Sequence, residues 1–338
     1  MPTITRVAGM MEPVGLVGFG LMGQGIATCL LSRGFSVRVY DSDRRTYGRG
    51  QANIDGALGE LVRRRLLKAA ARKDWRSRLE CVGSFDDFAP CRLVIESVPE
   101  NLELKQQLFR ELEAVVSPRA ILASNTSSLP ISLLQSKLER PARFVGMHWG
   151  VPTQLVPFFE VIPGKRTSPA TVAKARDFGI ACGKDPIVLR EDIRGFIGNR
   201  LMYAMMREAC FLVESGVADI ETVDRAFRHD IGWWSLLAGP FRWMDLTGIP
   251  AYAAVMEGLF PKLSNSRSTP EVMEAALRKG LEGISNRKGF YRYDKRSVAR
   301  WRKSWLEFAY DVKGLADKYE KLNKVNGSRS SSPKDQVD

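Results

Sequence analysis

Up to Leu189, short apolar runs alternate with longer amphipathic stretches along the chain. Short apolar runs bounded by turn residues are typical of buried strands, whereas an apolar period of about 3.6 residues is typical of helices. The apolar runs predict strands at residues 14–17, 36–40, 79–82, 93–97, 121–124, 144–147, 158–162 and 186–189. The amphipathic stretches predict helices at residues 21–33, 43–71, 102–116 and 171–179, with a further one opening at Pro130. This alternation indicates an α/β fold with a doubly wound parallel sheet.

From Asn199 onward the strand pattern disappears and helical periods follow one another, at residues 199–214, 220–230, 251–260, 271–280 and 298–319. An all-helical second domain is therefore expected after the sheet. The predicted domains are residues 13–192 and 193–322, preceded by an N-terminal extension at 1–12. The polar, low-complexity end of the chain, 323–338, is predicted to be disordered.

The first strand is followed by GFGLMGQG, in which Gly18, Gly20 and Gly23 have the G-x-G-x-x-G spacing. Gly18 allows a tight turn, Gly20 allows close approach of a pyrophosphate, and Gly23 allows close packing of the helix. Leu21 and Met22 are the first residues of that helix. Asp41 ends the second strand, where its carboxylate could accept hydrogen bonds from both adenosine ribose hydroxyls. The sequence therefore predicts a Rossmann-type dinucleotide site. Asp41 favours NAD, although the arginines at 44 and 45 could hold the 2′-phosphate of NADP.

The composition, with 44% apolar and 26% charged residues, is that of a globular protein, and 338 residues suffice for two domains. No apolar run is long enough to span a membrane, and the first residues lack the apolar core of a signal peptide. A cytoplasmic location is therefore expected. The five cysteines are scattered without a C-x-x-C pair, so neither disulfides nor a metal site is expected.

The net charge of +13 is concentrated at residues 63–78, at 287–303 and near the C-terminus. No nucleic-acid motif accompanies it, so we expect a solvated basic surface or a face for an anionic substrate, and no nucleic-acid partner. The more specific hypothesis for residues 63–78 is a positively charged rim beside the cofactor that binds the phosphates of a large substrate. Binding of RNA through the same stretch and the C-terminal end is the remaining alternative.

The candidate catalytic group is His148, one of two histidines in the chain, because histidine accepts protons near neutral pH. It ends a predicted strand, at the carboxyl edge of the sheet where such folds bind ligands. Glu160 lies in the otherwise apolar run FFEVI, where a carboxylate is tolerated mainly if it is paired. We predict a His–Glu dyad, the alternative being that Glu160 points to solvent. The second histidine, His229, is read as structural.

Two polar residues are expected near this dyad. Ser127 follows a strand end, where its hydroxyl could bond the reacting oxygen, and Asn199 opens the first helix of the second domain. Each could instead serve only as a turn former or helix cap.

Taken together, these motifs resemble the L-3-hydroxyacyl-CoA dehydrogenase family. The matching segments, in family order over residues 13–294, are GFGLMGQG, VIESVPENLELK, ASNTSSLP, GMHW-x-x-P, FFEVI, GFIGNRL and NRKGFYRY. The resemblance implies that His148 is the general base, that Glu160 orients it, and that Ser127 and Asn199 position the substrate oxygen and the nicotinamide. It implies that Glu100 and Lys105, with Asp41, touch NAD. It also implies a homodimer formed through the helical domain.

Departures from the family pattern leave the substrate open. Val151 stands where the family has an asparagine, and Ala57 where many acyl-CoA members have a serine that contacts CoA. Arg64 falls on a lysine position, which keeps a positive charge for CoA. The His148–Trp149 pair resembles branches that oxidise small acids without CoA, such as carnitine, gulonate and pyridine-carboxylate dehydrogenases, and this resemblance makes Trp149 a candidate substrate contact. Three further tryptophans could wall a compact substrate or belong to the core, namely Trp233, Trp234 and Trp243.

The leading hypothesis is NAD-dependent interconversion of a 3-hydroxyacyl and its 3-keto form, with 3-hydroxyacyl-CoA favoured because the Ser–His–Glu–Asn set is complete. The same chemistry on a small acid without CoA is the alternative. A non-catalytic protein on the same fold, like the lens crystallins recruited from this family, is the alternative of another class.

Overall fold

The computed structural model describes the backbone of residues 12–324 and the side chains of residues 12–319. Residues 1–11 of the predicted extension (1–12) and residues 325–338 of the predicted disordered tail (323–338) lie outside this range. The chain forms two compact units that divide between Arg200 and Leu201. Within the described range, no helix is both long and apolar enough to cross a membrane.

The first unit is built on an eight-stranded sheet in the order β3-β2-β1-β4-β5-β6-β7-β8. Its strands are β1 (Val14–Val17), β2 (Val37–Tyr40), β3 (Leu79–Cys81), β4 (Leu93–Glu96), β5 (Ile121–Ser124), β6 (Phe144–Trp149), β7 (Phe158–Pro163) and β8 (Asp185–Val188). β1, β4 and β5 are almost completely buried, as expected for strands covered by helices on both faces. The predicted Rossmann-type α/β fold is thus confirmed.

One strand runs against the expectation of a parallel sheet. β7 pairs antiparallel with β6, while β8 is parallel to β7. The reason is the short connection, residues 150–157, since parallel neighbours need a crossover of a dozen or more residues whereas a hairpin does not. The hairpin places the start of β7 beside the end of β6, at the carboxyl edge of the sheet.

The helices of the first unit are α1 (Leu21–Ser32), α2 (Arg45–Arg63), α3 (Ala69–Lys73), α4 (Leu102–Val115), α5 (Ile131–Leu134) and α6 (Pro169–Ala181). The single helix predicted over residues 43–71 is wrong, because the chain breaks after Arg63. Arg65 adopts a φ of +59°, and the amide of Leu66 donates to the carbonyl of Leu61. This is the left-handed stop that usually carries glycine, so the sequence gives no sign of it.

The second unit is helical, as expected. Its helices are α7 (Gly198–Glu214), which begins in the first unit, α8 (Ile220–His229), α9 (Ile231–Trp234), α10 (Pro240–Thr247), α11 (Ile249–Leu259), α12 (Glu271–Arg278) and α13 (Lys295–Lys324). Helices α9 and α10 were not expected from the sequence. Of the side chains described in this unit, only Ala238, Ala276 and Tyr310 are buried, with less than a tenth of their surface exposed. Its many large apolar side chains therefore lack a core of their own within one chain.

Candidate active site

The glycine-rich turn between β1 and α1 has the geometry that the motif predicts. Gly18 has a φ of +95°, and a Cβ there would lie 2.6 Å from the carbonyl oxygen of Ser97. A Cβ on Gly23 would collide with the carbonyl oxygen of Gly18. Gly20 instead faces open space, with no described atom within 4 Å of the position of a Cβ. The turn thus packs tightly below and stays open above, at the start of α1, where amide groups attract phosphate.

Asp41 closes the other side of this turn. Its Oδ2 accepts a hydrogen bond from the amide of Phe19 at 2.6 Å, and its Oδ1 accepts one from the amide of Asp43 at 2.8 Å. Each oxygen keeps a second lone pair for a ribose hydroxyl. Arg45 is held by Asp43, with Nε 2.8 Å from Oδ1. The open turn and the fixed carboxylate fit NAD, and Gly18, Gly20, Leu21, Met22, Gly23 and Asp41 are the residues that would hold it.

Replacing Gly20 by alanine tests this fit. Gly20 has a φ of −71°, which alanine adopts without strain, so the unfolding midpoint should not change. The added methyl would fill the open space above the turn and raise the Kd for NADH by about 10- to 100-fold. Fluorescence titration with NADH measures the effect, and Gly56→Ala, on the exposed side of α2, is the matched control. A folded Gly20→Ala variant with wild-type affinity would exclude a pyrophosphate over Gly20.

The structure brings His148 and Glu160 together. They are direct cross-strand partners on β6 and β7, with His148 Nδ1 2.8 Å from Glu160 Oε2. The Glu160 side chain is fully buried and that of His148 is 12% exposed. The ring of His148 packs edge-on against Phe158, with centroids 5.5 Å apart. Because Nδ1 faces the carboxylate, Nε2 is the nitrogen left for a substrate.

The other oxygen of Glu160 is held by the segment that leads into α7. Oε1 accepts hydrogen bonds from the amides of Ile197, at 3.0 Å, and Gly198, at 2.9 Å. Phe196, which precedes them, is buried with a left-handed φ of +52°, an uncommon conformation for a bulky residue. Burial by itself would raise the pKa of Glu160, but the hydrogen bonds from His148, Gly198 and Ile197 outweigh it and lower this pKa. Glu160 is therefore an oriented, ionised carboxylate.

One hydrogen bond links Asn199 to Ser127. Asn199 Nδ2 donates to the backbone carbonyl of Ser127 at 2.6 Å. Asn199 directly follows Gly198, so the start of α7 contacts both the dyad and the Ser127 loop. The Ser127 amide donates to Glu100 Oε1 at 3.1 Å, an oxygen that also accepts from the amide of Ser128. Glu100 thus shapes the loop that carries Ser127.

Lys105 is almost fully buried, which the sequence did not indicate. Its Nζ lies 2.6 Å from Glu96 Oε1 and 3.2 Å from Glu100 Oε2. Glu96, at the end of β4, also accepts a hydrogen bond from Ser124 Oγ at 2.6 Å. Sequence reasoning missed Glu96, although an acid ending the apolar run LVIE is the same signal that identified Glu160. Contact of Lys105 with the cofactor stays a prediction, because its ammonium group is already surrounded by oxygens.

Of the two predicted substrate contacts, Trp149 needs correction and Arg64 stays a prediction. Trp149 is buried on the face of β6 opposite to His148, because neighbouring strand residues alternate, and it packs on Phe159 at 4.8 Å. It is therefore a core side chain. Arg64 is paired with Glu60, as is Arg63.

The rest of the basic stretch at residues 63–78 is also engaged in the fold. Arg72 lies 2.9 Å from Asp55, and Arg78 donates to the carbonyls of Leu31 and Phe35 at 2.9 and 3.0 Å. These contacts tie α2, α3 and α1 together. The stretch is thus not the continuous cationic helix that the sequence suggested, and much of its charge has structural partners.

Comparisons with known proteins identify the family of this chain. The family model described as the 3-hydroxyacyl-CoA dehydrogenase NAD-binding domain matches residues 13–193, and the model of the C-terminal domain matches residues 195–293. A 5-formyl-3-hydroxy-2-methylpyridine 4-carboxylate 5-dehydrogenase of Mesorhizobium japonicum is 33% identical over 84% of this chain and 91% of its own. A probable 3-hydroxybutyryl-CoA dehydrogenase of Deinococcus radiodurans is 35% identical over 82% of this chain and 99% of its own.

The solved structures similar to this chain include both kinds of enzyme, a pyridine-carboxylate dehydrogenase and a hydroxybutyryl-CoA dehydrogenase. A crystal structure of the pyridine-carboxylate 5-dehydrogenase, described as an NAD⁺-dependent dismutase, has a TM-score of 0.84 at 30% identity and covers 92% of this chain and 99% of its own. The (S)-3-hydroxybutyryl-CoA dehydrogenase of Ralstonia eutropha has a TM-score of 0.71 at 30% identity, covering 84% of this chain and 99% of its own. The resemblance drawn from the motifs is confirmed: this chain belongs to the NAD-dependent 3-hydroxyacyl-CoA dehydrogenase family.

Proposed function

We propose that this protein oxidises the hydroxyl group of a compact acid that is not esterified to CoA, and reduces the corresponding carbonyl in reverse. The observation that carries this choice is the closer structural agreement with the pyridine-carboxylate dehydrogenase, at a TM-score of 0.84 over 92% of the chain, against 0.71 over 84% for the hydroxybutyryl-CoA enzyme. The pairing of Arg64 with Glu60 and the valine at 151 agree with it, because both reduce the features expected for CoA.

His148 acts in this proposal as the general base, accepting the hydroxyl proton at Nε2. Glu160 stabilises the imidazolium that results and keeps the proton of neutral His148 on Nδ1. Ser127 and Asn199 position the substrate oxygen, and the hydrogen bond from Asn199 to the Ser127 carbonyl ties the start of α7 to the loop that carries Ser127. When bound, NAD⁺ supplies the acceptor for the hydride that leaves the carbinol carbon.

A 3-hydroxyacyl-CoA substrate is the second candidate. Its support is the 35% identity to a hydroxybutyryl-CoA dehydrogenase, which extends over 99% of that relative. Under this alternative Arg64 would contact a CoA phosphate after leaving Glu60, and the enzyme would serve fatty acid oxidation.

Two substrate panels separate the candidates through NADH formation and consumption. One panel holds acetoacetyl-CoA and longer 3-ketoacyl- and 3-hydroxyacyl-CoA esters, and the other holds carnitine, gulonate, 3-hydroxybutyrate and hydroxymethyl- or formyl-pyridine carboxylates. We expect kcat/KM for the best free acid to exceed that of the best CoA ester by about 100-fold or more. Arg64→Ala should leave kcat/KM for the free acid unchanged. The reverse preference, with a raised KM for the CoA ester in Arg64→Ala, would replace the proposal by the second candidate.

We further propose that the enzyme is a homodimer formed through the helical unit. Large side chains such as Tyr203, Phe241 and Trp233 are 63–80% exposed in the single chain. Exposed apolar surface of this extent is typical of an interface between subunits. Sedimentation equilibrium measures the mass in solution, which should be twice that of one chain.

A further inference from the structure

A buried carboxylate that the proposed mechanism does not use lies at the carboxyl edge of the sheet. Glu96 ends β4, which pairs with β1 on one side and β5 on the other, so it lies beside the point where the strand order reverses. Folds of this type bind their ligands at that point. The side chain of Glu96 is fully buried, and that of Lys105 on α4, which pairs with it, is 1% exposed. Glu96 is therefore at the ligand-binding edge of the sheet but sealed from solvent.

Stability alone does not account for this ion pair. The free energy that two charges lose on leaving water offsets most of their attraction, so a buried ion pair adds little to the stability of a fold. Burial raises the pKa of Glu96, and the charge of Lys105 opposes that rise. The charge of each group thus depends on the other, and the pair is better explained by the segments that it holds in place.

Glu96 joins three elements at this edge. Its Oε1 accepts a hydrogen bond from the amide of Val98 at 2.6 Å and lies 2.6 Å from the ammonium nitrogen of Lys105. Its Oε2 accepts a hydrogen bond at 2.6 Å from the hydroxyl of Ser124, the last residue of β5. The carboxylate thus holds α4 and the ends of β4 and β5 in one arrangement.

Lys105 links Glu96 to a second carboxylate, that of Glu100. Its ammonium nitrogen lies 3.2 Å from Glu100 Oε2 and also donates to the carbonyl of Val98 at 3.2 Å. Burial alone would raise the pKa of Glu100, but the hydrogen bond from Thr126 and the charge of Lys105 outweigh it and lower this pKa. Glu100 is therefore an anion, and the position of its Oε2 depends on Lys105.

The other oxygen of Glu100 holds the Ser127 loop, which comprises residues 125–130 between β5 and α5. Glu100 Oε1 accepts hydrogen bonds from the amides of Ser127 and Ser128, both at 3.1 Å. The hydroxyls of Thr126 and Ser128 donate to the same oxygen. Because one oxygen sets the backbone around Ser127, a shift of Glu100 would move the hydroxyl that is proposed to bond the substrate oxygen.

We propose that Glu96 is a positioning residue for Ser127, acting through the buried ammonium group of Lys105. While Glu96 is charged, it shares that ammonium group with Glu100, whose Oε1 stays directed towards the Ser127 loop. Without that charge, Glu100 would be the remaining counter-ion of the ammonium group and would be drawn away from the loop amides. The inference rests on the proposed role of Ser127 and is independent of which substrate is oxidised.

Replacing Glu96 by glutamine removes the charge and keeps the hydrogen bonds. The glutamine oxygen can accept from Val98 and Lys105, and its NH₂ group can donate to the hydroxyl of Ser124. With the best substrate of the two panels, we expect kcat to fall about tenfold, because a small misplacement of a substrate-positioning group suffices for that. KM and the Kd for NADH should change by less than about threefold, since the glycine-rich turn keeps its contacts.

A second buried carboxylate provides the matched control. Glu113 ends α4 at the opposite edge of the sheet, is 9% exposed, lies 3.5 Å from Arg143 and accepts two backbone amides. Glu113→Gln and Glu96→Gln should both lower the unfolding midpoint, but only Glu96→Gln should lower kcat. Wild-type kcat in Glu96→Gln, with or without a raised Kd for NADH, would overturn the inference.

A double-mutant cycle with Ser127→Ala tests the route of the effect. If Glu96 acts through Ser127, then Glu96→Gln should lower kcat about tenfold in the wild-type background and less than about twofold in Ser127→Ala. An equal loss in both backgrounds would overturn the inference, because Glu96 would then act on another group.

Amide hydrogen exchange gives a readout that needs neither cofactor nor turnover. The amides of Ser127 and Ser128 lose their acceptor when Glu100 is drawn away, so they should exchange about tenfold faster in Glu96→Gln than in the wild type. Exchange in Glu113→Gln should match the wild type at these two amides. Unchanged exchange in Glu96→Gln would overturn the inference.

Ser124→Ala is the second variant, should Glu96→Gln not fold. It removes one hydrogen bond from Glu96 without changing a charge, and should change kcat and amide exchange in the same directions, each about threefold. Wild-type values of both in Ser124→Ala would overturn the inference. Failure of the proposed function would appear instead as a preference for CoA esters in the substrate panels, which leaves these comparisons between variants unaffected.

Discussion

Replacing His148 by asparagine is expected to lower kcat by about 10²- to 10⁴-fold while the variant still folds and binds NADH. Asparagine can donate its side-chain amide to Glu160, so the buried carboxylate keeps a partner and the fold is maintained. It has no nitrogen that can accept the hydroxyl proton, so the base is lost. Stopped-flow or steady-state NADH formation measures kcat, and fluorescence titration measures NADH affinity.

The second histidine of the chain provides the control. His229 lies exposed on α8, so His229→Asn should keep wild-type turnover. Wild-type turnover in His148→Asn would refute the mechanism. Absence of turnover in the wild type itself, on both substrate panels and with NADH bound, would favour the non-catalytic alternative.

Replacing Glu160 by glutamine should lower kcat by about 10²- to 10⁴-fold, although the two side chains have the same size. The amides of Ile197 and Gly198 both donate to Oε1, so the oxygen of glutamine is expected to take that place. The glutamine NH₂ then faces His148 Nδ1 and requires it to act as an acceptor. That moves the imidazole proton to Nε2, the nitrogen that must receive the substrate proton.

The same variant has an expected signature in acid. Because the pKa of Glu160 is lowered in the folded protein, its ionised form stabilises the fold above the ordinary pKa of 4.5. This stabilisation is lost as the pH falls through the lowered value. The difference in the free energy of unfolding between wild type and Glu160→Gln should therefore shrink below about pH 4.5. Glu80→Gln, at an exposed carboxylate of β3, is the control, and an unchanged difference in acid would show that Glu160 is not held as an anion.

The sequence predicted well the elements whose signal is local. The first strand, the glycine turn and Asp41 follow from spacing alone, since each residue's role depends on its immediate neighbours. Glu160 was identified because an acid within an apolar run must find a partner. Its geometry with His148 could not be derived in the same way, because it depends on the direction of β7.

What the sequence missed depends on conformation or on long-range contacts. Arg65 and Phe196 adopt left-handed backbone angles that their side chains do not favour, so no pattern marks those turns. Analogy predicts a substrate contact for Trp149, but side chains alternate along β6 and that of Trp149 lies in the core. In the basic stretch, the partners of Arg72 and Arg78 could not be predicted, because Asp55 and the carbonyl on α1 are distant in sequence.

The amides that hold Glu160 have a consequence for protein engineering. They belong to Ile197 and Gly198, beyond the end of the matched NAD-binding domain at residue 193 but before the division between the compact units at Arg200. A chimera joined at the domain-model boundary would take its dyad from one parent and the two donors from the other. A chimera joined after Arg200 would inherit them together. Modular exchange of the helical unit is therefore best designed at the start of α7 and not at the boundary of the family models.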